Sequence, residues 1–504
     1  MAVKRYDVAI VGAGFSGPIL AAKIAEDGVN PKTGERLKIA LIEAGPYLRG
    51  GPRPGYGSPL RRKVFTNLED GSASAFAWPR EPYLAKLVGG SSLHWGAAAV
   101  LPTRADYLHW QKETGVDWTE ENLRTGVAEI RREFNIHPFP DQINTRGNQL
   151  FYEVAQKMGY ELKRSEVARR NCIYCGFCID RIMCKYDSRS NTLVTYIPRA
   201  EKQGVEILPD TYVEKILIEA KGGRGIARGL ACRTDGSNYE IQADQIIVSC
   251  GYMNTSLLLL RSGYGPKEWR GNSILVENAN VGRNIDGHPP VPAVSGWFDE
   301  PLGDGELGSV GGYTMIHDSR PDAEGRLRLS ASFGSPQLPS EAALHPFAPL
   351  YGREHKRFMR EQGVLRAGAI SLSVVKPSGR WDVDPNGKRL YRGDHSLTLQ
   401  RVQEGREIAR GILEKMGARK ITPINIPMNM TPQVRGQHMV GSCRAGVDRK
   451  TSVVNPYFES HDVDNLLICD GSVIPRVTSG NTGTPQASVT VFAAGRIIER
   501  HFKR

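Results

Sequence analysis

A short apolar run entering a glycine-rich loop limits what this chain can fold into more than any other feature. After Asp7, residues Val8 to Val11 are continuously apolar, the pattern of a strand buried on both faces. The run leads directly into Gly12-Ala-Gly14-Phe15-Ser16-Gly17 and then into PILAAKIAED, whose apolar spacing is helical. A second apolar run, KIALI, ends at Glu43 and Ala44. Strand, glycine loop, helix and a second strand ending in an acid together form the fingerprint of a dinucleotide site. Gly12 is expected to make the tight turn, Gly14 to admit a pyrophosphate against the backbone, and Gly17 to let the helix pack on the strand. Phe15 and Ser16 belong to the same loop, and the helix start supplies unpaired N–H groups for phosphate oxygens. Glu43 is the expected acceptor for a ribose diol, although it lies beyond the usual spacing of about 20 residues. The polar stretch DGVNPKTGERLK accounts for the excess as a surface loop between helix and strand.

The 504 residues suffice for two or more domains. The formal net charge of +12 is spread along the chain, with only PLRRK near Arg61 and ARRN before Cys172 locally basic. A solvated basic surface, rather than a nucleic-acid site, is the expectation. The start, MAVKRYDV, enters a core strand without an apolar leader. No apolar run approaches the ~20 residues a membrane helix needs. A cytoplasmic protein with no membrane span is expected, and the oligomeric state is left open.

Buried, parallel-type strands recur far apart. ADQIIVSCG ends at Gly251 and is followed by a helical NTSLLLLRSG; NLLICDGSVIP ends in Asp470-Gly471 and is followed by a helical ASVTVFAAGRIIERHF. Segments of other character separate them: helical spacing over 119–161, amphipathic strand runs such as RLRLSASF and GAISLSVV between 290 and 400, and an amphipathic helix at GREIARGILEKMG. The fold class expected is α/β. A Rossmann-like cofactor domain is assembled from 1–105, 195–290 and 435–504, and a substrate domain on a mainly antiparallel sheet is inserted as 106–194 and 291–434.

Four of the eight cysteines cluster as Cys172, Cys175, Cys178 and Cys184. The first three have iron–sulfur ligand spacing, whereas the gap to the fourth is wider than in bacterial ferredoxins. Thiolate count also suits zinc, and unliganded thiols are the third reading.

Several motifs, in order and over nearly the whole length, resemble those of the glucose–methanol–choline (GMC) family of FAD oxidoreductases. They are GAGFSG with Glu43, GGSSLHWG, CGYMNTSLLLLRSG, VGRNIDGHP, HMVGSCRAG, and CDGSVIP with the helix after it. The resemblance implies FAD as cofactor. It places Gly89, Gly90, Ser91, Ser92, His94, Trp95 and Gly96 in a turn beside the flavin. It gives Val213 backbone contacts to the adenine, and sets Cys250, Gly251, Asp470 and Gly471 against the cofactor. His438 is the expected base, since an imidazole titrates near neutrality. The second polar group is expected just before the last helix, where Asn481 and Gln486 both carry an amide that hydrogen-bonds without titrating.

His94-Trp95 and the cysteine cluster resemble the pyranose oxidase and bacterial sugar dehydrogenase branch. That likeness implies oxidation of an alcohol of a sugar or glycoside, with electrons passing to oxygen or to a redox partner. It also implies either a covalent bond from His94 to the flavin or simple packing against it, and an iron–sulfur cluster in the cysteine region. The alternatives are oxidation of a sterol or long-chain alcohol, and an NAD(P)H-linked flavoprotein reductase.

Overall fold

The computed structural model describes residues 4–49, 65–66, 84–93, 95–141, 146–164, 166–174, 184, 186–288, 293–300, 302, 313–317, 325–330, 351–357, 366–375, 380–383, 389–392, 407–423, 437–478 and 483–503. In chain order the elements that build its main layer begin with β1 (Lys4–Val11), α1 (Ser16–Asp27), β2 (Ile39–Ile42), α2 (Arg104–Thr114) and α3 (Glu120–Glu133). They continue with β3 (Glu206–Leu208), β4 (Tyr212–Lys221), β5 (Arg224–Thr234), β6 (Ser237–Val248) and α4 (Gly251–Arg261). The set closes with β7 (Asp286–His288), β8 (Gln437–Val440), β9 (Leu466–Ile468) and α5 (Gly483–His501).

Five of these strands form a parallel sheet in the order β9-β6-β1-β2-β3, although they come from the two ends and the middle of the chain. Val8 to Ile10 of β1 and Ala40 and Leu41 of β2 are fully buried, as expected of parallel strands covered on both faces. The first half of β6 instead joins β4 and β5 in an antiparallel meander, so a single strand serves both pairings. α1 is buried from Ser16 through Ala22 and lies between the sheet and α5.

Helix ends follow local chemistry. Thr103 caps α2 in a reciprocal box with Asp106, whose carboxylate accepts the Thr103 N–H at 2.7 Å. Gly115, with φ of +67°, ends the same helix in the left-handed conformation that suits glycine. Thr119 caps α3 by accepting the Asn122 N–H at 3.1 Å.

A second sheet has six antiparallel strands, in the order Lys420–Pro423, Ala293–Trp297, Arg366–Val375, Gly325–Ser330, Tyr313–His317 and Glu161–Arg164. It has its own apolar cluster, in which Phe151 and Ala155 meet Ile412 and Leu413. Both the α/β class and the antiparallel second sheet agree with the sequence reading.

The expected domain boundary at residue 106 is not where the core divides. Trp110, Trp118, Leu123 and Ile130 of the 104–133 stretch belong to the large cluster that also holds β1 and α5. The reason is that the apolar stripe of α3 packs on α5. Strand 161–164, by contrast, does pair into the second sheet. Among the described residues, no helix is long and apolar enough to cross a membrane.

Candidate active site

The chain beyond each of four neighbouring parallel strands turns toward one place. β1 runs into Gly12, β2 into Glu43, β6 into Ser249-Cys250-Gly251, and β9 into Cys469-Asp470-Gly471. Ligands of open α/β sheets bind outside the carboxyl ends of the strands.

Glycine is required here by close approach. A Cβ on Gly17 would lie 1.9 Å from the Gly12 carbonyl oxygen, and one on Gly12 2.5 Å from the Ser249 oxygen. Gly90, with φ of +48°, would place a Cβ 2.6 Å from the Gly14 Cα, so the second glycine turn lies directly on the first. Gly14 and Gly251 differ in kind: nothing lies within 4 Å of a Cβ built on either, so there the backbone faces open space.

Glu43 is buried, and its carboxylate accepts the N–H groups of Ala13 and Gly45, each at 3.0 Å. Burial pushes this carboxyl up to about 7, opposed by those N–H groups, by that of Ala44 and by Lys86. A diol donating to the carboxylate would relieve that burial. α1 has no side-chain cap at Phe15, which leaves its first-turn N–H groups for an anion. A buried acceptor carboxylate, an uncapped helix start and glycine backbone facing space fit the diol, pyrophosphate and extended body of FAD.

A third wall was not anticipated from sequence. Ser188, Arg189, Ser190, Asn191 and Thr192 are all buried, a polar run immediately after the cysteines. Thr192 donates to the Gly14 carbonyl at 2.9 Å, and Ser92 Oγ lies 3.0 Å from Thr192 Oγ1 while donating to the Gly89 carbonyl at 2.6 Å. Gly89 N–H donates to Ala13 at 2.7 Å, so the three loops form one clamp. A row of small polar residues interrupted by Arg189 was the only sequence signal, and such runs ordinarily mark surface loops.

Trp95 donates to the Ser190 carbonyl at 2.9 Å and packs edge-on against Phe15 at 5.4 Å between ring centroids. Ser91 accepts the Trp95 N–H at 3.2 Å, and Gly96 leads into Ala97, which is fully buried in the left-handed region at φ of +57°. Val213 is buried on β4, two residues past Thr211, whose N–H donates to the Glu43 carbonyl at 2.9 Å.

Asp470 is committed to the backbone. It accepts the Ser472 N–H at 2.7 Å and the Gly251 N–H at 2.9 Å, and it also holds the Thr255 hydroxyl. Its carboxylate therefore joins α4 to the turn after β9, and burial raises its pKa. The Cys250 thiol lies 3.3 Å from the Val11 carbonyl, and burial pushes its pKa up, which keeps it protonated.

Gln486 reaches the same turn. Its Nε2 donates to Ser16 Oγ at 2.9 Å, and a Cβ on Gly471 would meet its Oε1 at 2.9 Å. Thr490, one turn further along α5, lies 2.8 Å from Ser16 Oγ. The structure thus sets Gln486 against the cofactor loops.

His438 lies on β8, half-buried, with φ of +60°. β8 pairs with β7, and beyond it Gly441 N–H donates to the Gly471 carbonyl at 3.2 Å and Cys443 N–H to the Ser472 carbonyl at 2.9 Å. The histidine strand is thereby fastened to the turn that follows β9. A left-handed non-glycine residue is strained by about 1–3 kcal/mol and persists only where its surroundings hold it.

Asn481, His94, Cys175 and Cys178 lie outside the described residues. Cys172 and Cys184 are half-buried free thiols, and the Tyr174 N–H donates to Cys172 Sγ at 3.4 Å. Among the described residues, no group of three or more His, Cys, Asp or Glu is placed to hold a metal ion.

Comparison with known proteins places this geometry. The N-terminal GMC oxidoreductase pattern matches residues 68–290 and the C-terminal one residues 365–493. Ecdysone oxidase of Spodoptera littoralis is 24% identical over 99% of this chain and 92% of its own length. The gluconate 2-dehydrogenase flavoprotein of Pantoea cypripedii is also 24% identical, over 99% of this chain and 95% of its own. Among solved structures, pyridoxine 4-oxidase from Mesorbium loti superposes with a TM-score of 0.69 at 18% identity, covering 99% of this chain and 100% of that one. A formate oxidase of Aspergillus oryzae RIB40 gives 0.70 at 18% identity, covering 99% of each chain. The chain belongs to the GMC oxidoreductase family, FAD-binding enzymes that act on the CH–OH group of alcohols.

Proposed function

We propose that this enzyme oxidises an alcohol of a sugar or glycoside, with His438 as the base that takes the hydroxyl proton. The observation that carries the role of His438 is its strained, left-handed backbone on a ribbon fastened to the Gly471 turn. Strain of this kind concentrates at functional positions. An imidazole accepts a proton near neutrality and releases it in the same range, as each turnover requires. Bound FAD supplies the acceptor for the hydride of the carbinol carbon. Gly12, Gly14, Glu43, Gly90, Gly251 and Gly471 hold it. Asn481 orients the substrate hydroxyl through its amide, and Gln486 braces Ser16 and Gly471 from α5.

The sugar reading is supported by the His94-Trp95 pair and by the likeness to a gluconate dehydrogenase. The likeness to ecdysone oxidase favours a sterol instead. Anaerobic flavin bleaching by D-glucose, methyl β-glucoside, gluconate, a long-chain alcohol and a sterol separates the two. On the sugar reading the cysteine set would hold an iron–sulfur cluster that passes electrons to a redox partner, and His94 would either bond the flavin or pack against it. Iron and sulfide content, and colour remaining in the acid precipitate, check these two points.

His438→Ala should retain flavin but reduce it about 10²–10⁴-fold more slowly with the best alcohol of that panel. A stopped-flow rate equal to that of the parent enzyme would remove His438 from the mechanism.

A further inference from the structure

We propose that Asp286 is the positioning residue for His438, clamping the bulged ribbon that forces the histidine into its left-handed conformation. This inference rests on the role given to His438 above. The ladder between β7 and β8 pairs Asp286 with Val440 and His288 with Gln437, with a register shift between the two pairs. Two steps on β7 therefore face three on β8, and the extra residue lies in the His438-Met439 stretch. One kind of bulge puts its first residue in the left-handed region, normally a glycine, and here His438 occupies that region. Gly287 sits opposite: a Cβ there would lie 2.5 Å from the Met439 Cγ, so only glycine permits this closeness.

The Asp286 side chain leaves the ribbon and accepts the Val477 N–H at 3.0 Å, in a fully buried setting. Val477 is held in turn. Its neighbour Arg476 is buried and paired with Glu113 of α2, and Trp110 donates to the Arg476 carbonyl at 2.9 Å. One carboxylate thus ties the histidine ribbon to the segment that follows the Gly471 turn and leads to α5. Burial pushes its carboxyl up to about 7; Arg476 and the N–H groups of Val477 and Gly287 oppose this, and Glu113 reinforces it. Because the neutral acid also accepts a hydrogen bond, the clamp does not require the charge. Asparagine retains an acceptor oxygen at this position, and alanine does not.

Purified holoenzymes carrying Asp286→Ala, Asp286→Asn, His438→Ala and Asp286→Ala/His438→Ala are compared by anaerobic flavin reduction with the fastest alcohol of the panel above. His438 is followed separately in ¹³C-histidine-labelled protein, its resonance assigned by its loss in His438→Ala. Asp286→Ala should keep its flavin content and substrate dissociation constant, lose about 10–100-fold in reduction rate, and shift or split the His438 resonance. Asp286→Asn should restore both rate and resonance, and the double variant should be no slower than His438→Ala. Parent-like rate and resonance in Asp286→Ala would overturn the inference, as would failure of asparagine to rescue. If His438→Ala reduces at the parent rate, the reading of His438 falls on its own. If His438→Ala is slow and Asp286→Ala is not, only the present inference falls. Should Asp286→Ala not fold, Gly287→Ala, which crowds Met439, must give the same slow rate and altered resonance.

Discussion

At the scale of single residues, Glu43 is a carboxyl whose burial shifts its titration. Without cofactor its carboxyl sits at about 7, against an ordinary value of 4.5. Between those values the native protein holds a proton that the unfolded chain has released. Stability contributed by this group is therefore present below about 4.5 and lost as pH rises to about 7, a change of about 3 kcal/mol. Glu43→Gln should remove this group's share of the slope, leaving that of Asp286, and weaken FAD binding. Urea unfolding of flavin-free parent and variant at pH 5 and pH 7.5 measures the first effect, and flavin titration the second. A parent-like pH slope in the variant would refute the assignment. The position of Glu43 at the end of β2, beside the glycine loop, was legible in the sequence because strand, glycine loop and acid come in a fixed order. The work of Gln486 was not, because its partners Ser16 and Gly471 are remote in the chain and an amide at a helix start suits many neighbours.

Among secondary elements, the contact between α3 and α5 turns on one missing side chain. A Cβ on Gly126 would fall 2.3 Å from the Ser488 carbonyl oxygen. Alanine in a helix is favoured over glycine by about 1 kcal/mol. Crowding against backbone, which cannot rotate away, costs about 1–3 kcal/mol and should win. Gly126→Ala is thus expected to destabilise the protein, read as a lower urea midpoint; a raised midpoint would show that the helices separate freely. The spacing of Leu123 and Ile130 announces a helix with one buried face, but periodicity says nothing of what covers that face. That is why α3 was expected with the second sheet. The parallel strands were read more securely, since continuous apolar runs ending in Gly12, Gly251 and Asp470-Gly471 carry both burial and exit geometry in a few residues.

On the scale of the whole molecule, the parallel sheet joins the two ends of the chain to its middle, and the loops after β1, β2, β6 and β9 all leave it at the same edge. Cofactor release should therefore coincide with unfolding of this sheet. A thermal ramp followed by flavin fluorescence and far-UV circular dichroism should give a single shared transition, and free FAD at 100 times its dissociation constant should add about 2.7 kcal/mol. Flavin loss well below the circular dichroism transition would mean that the site opens independently.

The segment between Asn171 and Ser188 is closed at its base. Ser188 donates its hydroxyl to the Asn171 carbonyl at 3.0 Å and accepts the Arg170 N–H at 2.7 Å, while Arg169 and Arg189 face each other across a bridge. The chain therefore leaves and rejoins the core at a single place. A change of length or sequence between the two sides of that clasp would begin and end at one fixed point, so the polar wall of Ser190 and Thr192 would keep its register against Gly14.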